Sequence, residues 1–128
     1  MHLFHKTALE SIQTLNAGDI VSWSGSDLVH TTGFSQNANI FTCPLTGVYE
    51  FYVQIRARQF IGDLLMESAS ETVVLLHLHG EQANRRSNTA GSVIARCELN
   101  SQVYVKTTRT SNVVVQRSAF TGKILYYL

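Results

Sequence analysis

Apolar and polar residues alternate with a period of two along most of the chain, as strands with one buried face require. Residues 48–56 show it best. Tyr49, Phe51, Val53 and Ile55 fall on one side, and Glu50, Tyr52, Gln54 and Arg56 on the other. Residues 92–99 repeat the pattern, with Val93, Ala95, Cys97 and Leu99 set against Ile94, Arg96 and Glu98. A strand over 102–108 follows the tight turn expected at Asn100-Ser101. A short strand is predicted at 20–23. Segments 113–116 and 119–128 form a long last strand with a kink near Arg117-Ser118. Eight glycines and the single Pro44 punctuate these runs. Short strands divided by turn residues predict a β-sandwich and not a βαβ fold.

Residues 58–72 break the rhythm. Phe60, Ile61, Leu64 and Leu65 are spaced as on a helical turn, with Glu67 and Ser68 after them. The spacing predicts a helical turn inside a long loop, and long loops often carry function.

The 128 residues suffice for one domain, taken as 1–128. Apolar residues make up 45% and charged residues 15%. The charged share is below the usual ~25%, which excludes disorder and suggests surface covered by partners. Ten Lys and Arg face nine Asp and Glu, so no field draws nucleic acid or an anionic membrane. The one adjacent basic pair, Arg85-Arg86, reads as a solvated tip. No apolar run approaches the ~18 residues of a membrane span.

Candidate chemistry is sparse. Cys43 and Cys97 fit no zinc spacing and are read as buried thiols, with a bridge between them as the alternative. His77 and His79 share a strand face and could hold a metal, but no carboxylate or third histidine is evident beside them, so no metal is expected. Asp63 and Glu67, four apart, are a carboxylate pair or simply solvated. A nucleophile elbow, a Cys–His context and a phosphate-cradling glycine loop are all missing, so the chain reads as a binder and not an enzyme.

Three segments carry a family resemblance. Ile40-Phe-Thr-Cys-Pro-Leu-Thr-Gly-Val-Tyr-Glu-Phe-Tyr52 resembles the F-T-x-P-x-x-G-x-Y-x-F signature of complement C1q-like globular heads. Leu76-His-Leu-His-Gly-Glu81 is similar to that family's L-x-x-N-G turn, with His79 in place of Asn. Ser118-Ala-Phe-Thr-Gly-Lys-Ile-Leu-Tyr126 resembles its closing S-x-F-S-G-x-L-x-Y strand. The resemblance implies an all-β, ten-stranded jelly roll of the kind shared with tumour-necrosis-factor-like domains, secreted and assembled as a homotrimer. Asn100-Ser101 stands where the family often has Gly-Asp, so no calcium cofactor is expected. The chain has no Gly-X-Y stalk, which likens it to stalkless invertebrate members that resemble lectins of innate defence. The implied partners are glycans, with N-acetylated sugars or sialic acid foremost. A protein-binding, cytokine-like or synaptic-organiser-like ligand is the alternative.

The strand faces bear on the trimer. With Phe120, Ile124 and Tyr126 turned inward, Leu125 and Tyr127 face out, beside Tyr52 and Ile94. The family sets these strands side by side, so the four side chains form one interface patch. Burying them contributes roughly 1.5–3 kcal/mol each before the costs of association. Alternating strand direction gathers loops near 58–72, 88–91 and 109–112 at the end away from the termini. Arg58, Gln59, Asp63, Asn88, Arg109 and Asn112 there offer donors and acceptors suited to sugar hydroxyl and acetamido groups.

Overall fold

The computed structural model describes residues 2–7, 13–23, 34–35, 39–80, 87–109 and 111–128; Arg85-Arg86 lies outside them. In chain order the strands are β1 (His2–Thr7), β2 (Gln13–Leu15), β3 (Phe34–Ser35), β4 (Ile40–Thr42) and β5 (Gly47–Arg58), then β6 (Ile61–Glu67), β7 (Thr72–His79), β8 (Ser87–Cys97), β9 (Gln102–Thr107) and β10 (Ser111–Tyr127). They form two antiparallel sheets facing each other as a jelly-roll sandwich. The first runs β1-β10-β5-β8, with β2 also on β10; the second runs β3-β4-β9-β6-β7.

The alternation in β5 is realised in full. Its odd-numbered residues from Gly47 to Ala57 are buried, and the even-numbered ones are half-buried or exposed. Tyr49 and Phe51 stack with ring centroids 6.0 Å apart, and Phe41 of the second sheet meets both edge-on at 6.0 and 5.9 Å. Trp23 packs on Phe120 at 5.7 Å. These side chains are fully buried, and such burial stabilises by about 1.5–3 kcal/mol apiece. The two sheets approach closely at one edge, where a Cβ on Gly91 would come within 2.8 Å of the Leu76 side chain.

Four expectations change. Residues 58–72 hold no helical turn. Gln59 turns the chain at φ 53°, β6 and β7 follow, and a tight turn at 68–71 joins them. The helix-like spacing comes from burial on both faces of β6: Leu64 joins the core, while Leu65, on the opposite face and outside the core cluster, is covered beside Tyr104; the bulge in this ladder is on β7, at Leu75. Residues 88–91 belong to β8 and not to a loop. Segment 20–23 is reduced to a bridge, Ile20 to Lys106, while Val21 N–H still bonds Val105 C=O at 2.9 Å. Leu99 has left the strand for a turn and is 55% exposed. The kink in β10 is present. Its register on β5 slips between Val114 and Ala119, where buried Ser118 Oγ accepts the Arg56 N–H at 3.1 Å.

The sheet directions set two ends. His2 pairs with Lys123, so both termini lie at one end, with the turns at 43–46, 68–71 and 98–101. The β5–β6 and β9–β10 connections lie at the other.

Candidate recognition surfaces

On the outer face of the first sheet the register places residues in cross-strand rows. Ser92, Tyr52 and Thr121 form one row, and Ile94, Glu50 and Lys123 the next. Lys123 Nζ meets Glu50 Oε1 at 3.1 Å. The third row is Arg96, Val48 and Tyr126. Tyr52 is 40% exposed, Ile94 59% and Leu125 41%. A second bulge, between Ile124 and Tyr126, shifts β10 by one residue. Tyr126 therefore sits in the outer row that the sequence pattern gave to Tyr127. Tyr127 pairs with Gly47 in an inner row, exposed because the sheet ends there. A one-residue slip exchanges faces in this way.

The six candidate sugar-contacting residues do not form one group. Arg58 and Asn112 are direct cross-strand partners, and Gln59 and Arg109 occupy the connections beside them. Arg109 is anchored through its backbone, its C=O accepting the Thr107 hydroxyl at 2.5 Å. Asn88 pairs with Arg56, and its Oδ1 accepts from Gln54 Nε2 at 3.4 Å, on the first sheet's outer face. Asp63 stands apart on the outer face of the second sheet, between His77 and Lys106. Its Oδ1 lies 2.5 Å from His77 Nδ1. A carboxylate therefore does stand beside His77, brought from the neighbouring strand. No three His, Cys, Asp or Glu among the described residues gather as a metal site would need. Asp63 and Glu67 share a face of β6 but are not a pair: they stand two pleats apart, Asp63 meets His77, and Glu67 Oε1 accepts the Tyr104 hydroxyl at 2.9 Å.

Cys43 and Cys97 are free, buried thiols. Cys43 Sγ donates to Leu45 C=O at 2.9 Å, an acceptor it shares with the Tyr49 hydroxyl. The hydrogen bond with Cys43, together with burial, pushes the Cys97 thiol far above the usual range. Burial raises Tyr49 likewise.

The sequence pattern did not indicate a cleft at the terminal end. Its volume is about 430 Å³, and it is bounded by Glu67–Ala69 on one side and Glu98–Gln102 on the other. A smaller cavity of about 230 Å³ adjoins it, sharing Ser68, Glu98 and Ser101.

Two antiparallel sheets closed as a jelly roll define the class of domain. The C1q domain family model matches residues 5–125, and the chain belongs to that family, whose members are not catalytic. No curated protein matches it in sequence. Solved structures of similar fold include the globular domain of zebrafish complement 1qA protein, at 17% identity and a TM-score of 0.78 over 98% of both chains. Eiger TNF from S. frugiperda aligns at 13% identity and a TM-score of 0.84, over 98% of this chain and 92% of that one. Murine APRIL aligns at 13% identity and 0.76, over 96% and 98%. No helix among the described residues is long and apolar enough to cross a membrane.

Proposed function

We propose that this C1q-domain protein is an extracellular recognition ligand that assembles as a homotrimer and engages a protein receptor, as cytokine-like jelly rolls do. One observation carries the reading: Tyr52 and Ile94 stand exposed on adjacent strands of one sheet face, with Leu125 in the bulge at its end. Large apolar side chains on a sheet face call for a cover, and a second and third copy supply a self-complementary one. The Glu50–Lys123 pair among them gives the contact its polar register. The fold's likeness to a TNF and to APRIL favours a protein receptor over a sugar. Sedimentation of the purified chain tests the assembly, with a species of three copies at micromolar concentration as the expected result. Capture from a panel of cell-surface receptor ectodomains tests the partner. A monomer, or silence across the panel, counts against the respective half.

Glycan binding is a second reading, favoured by the convergence of Arg58, Gln59, Arg109 and Asn112 at the end away from the termini. Two guanidinium groups among amides suit the carboxylate and acetamido groups of sialic acid and N-acetylated sugars. Retention on an acetylated-sugar resin, lost in the variant Arg58→Ala, is the expected result of that reading. Asp63, held by His77, has no part in it.

A further inference from the structure

We infer that the cleft between the 68–71 and 98–101 turns is a binding site for a hydroxylated ligand bearing an ammonium group, of about hexosamine size. It is independent of both surfaces proposed above. The cavity of about 430 Å³ falls in the range of small-ligand pockets.

Its lining has a definite chemistry. Glu67 and Glu98 supply carboxylates, Ser68 and Ser101 hydroxyls, and Asn100 and Gln102 amides, with Leu99 exposed at the rim. Carboxylates and amides bind adjacent sugar hydroxyls by accepting from and donating to them, and an apolar rim covers the ring's C–H face. Glu67 has no Lys or Arg partner among the described residues. Glu98 has only a loose contact with Arg96, at 3.7 Å between groups that are both more than half exposed. No Lys or Arg lines the larger cavity, so its charge repels anions and favours a cation.

Ser101 supplies a second, independent observation. It is 4% exposed and lines both cavities. Its backbone N–H is bound to Glu98 C=O at 3.0 Å, and its C=O accepts from Cys43 N–H at 2.8 Å. Among the described residues no hydrogen bond reaches its hydroxyl. Opening onto the cleft, that hydroxyl can bond a ligand hydroxyl there in place of water. The acidic groups are too dispersed for a metal ion to be the natural occupant.

Titration of the isotope-labelled 128-residue chain with glucosamine, N-acetylneuraminic acid and calcium, followed by amide NMR, tests the site. Glucosamine is expected to produce saturable shifts at 67–71 and 98–102, and N-acetylneuraminic acid none there. Glu98→Gln and Ser101→Ala should each weaken glucosamine binding about tenfold, equivalent to ~1.4 kcal/mol. Both are small changes, and an otherwise unchanged spectrum verifies the fold. Shifts that fail to saturate, that fall at 58–60 and 109–112, or that calcium reproduces and displaces would overturn the proposal. So would variants that bind as the parent does. Sedimentation of the same samples reads assembly separately.

Discussion

Ile94 lies diagonally across from Tyr52 on the outer face of the first sheet, one row removed: Tyr52 is paired with Ser92, and Ile94 with Glu50. Diagonal neighbours on one face lie within reach of large side chains, so the two form a continuous apolar surface. Replacing Ile94 by Arg sets a charge at the centre of the proposed contact. The variant should sediment as a single copy while its melting temperature in that state stays close to the parent's, because Ile94 contributes nothing to the core. An undisturbed trimer would remove this face from the assembly.

Gly62 marks a point of close approach within the second sheet. A Cβ there would stand 2.6 Å from Lys106 C=O and 2.7 Å from the Phe60 ring, itself fully buried. Neither neighbour can retreat, since one is ladder backbone and the other is locked in the core. Gly62→Ala is expected to cost about 1–3 kcal/mol, the usual penalty of overpacking, measured by urea denaturation.

Stability should fall in alkali. Tyr49 ionises at 10.0 in its ordinary state and Cys97 at 9.0, and both are raised in the fold. Above those ordinary values the unfolded chain loses protons that the folded chain keeps, so stability declines as pH rises. Well below pH 9 neither group contributes a slope, since each is protonated in both states. Thermal melts in a series above pH 9 check the sign, and Tyr49→Phe should reduce the decline.

The two thiols should be silent to a thiol reagent in the native protein and react as two equivalents on denaturation, without added reductant. Both are fully buried and unbridged. Rapid native-state labelling would contradict their burial, and labelling only after reduction would show a bridge.

The sequence determined the strands whose alternation is unbroken. In β5 and β8 the period of two marks the core face directly, because successive side chains on a strand point to opposite sides. It also announced the kink before Ser118 and the turn at Asn100, whose φ of 72° asks for a residue at ease in the left-handed region. Two bulges stayed hidden. One lies on β7, at Leu75, opposite the step from Leu64 to Leu65, and the other, on β10 at Leu125, exchanged Tyr126 for Tyr127. A bulge is a matter of how one strand is paired with its neighbour, and neither strand's own pattern records it. The meeting of Asp63 with His77 and the cleft between Glu67 and Ser101 were decided by tertiary structure alone. Their residues are far apart along the chain and become neighbours only when β6 pairs with β7 on one side and β9 on the other. Periodicity fixes which way a side chain points, while pairing across strands fixes what it meets.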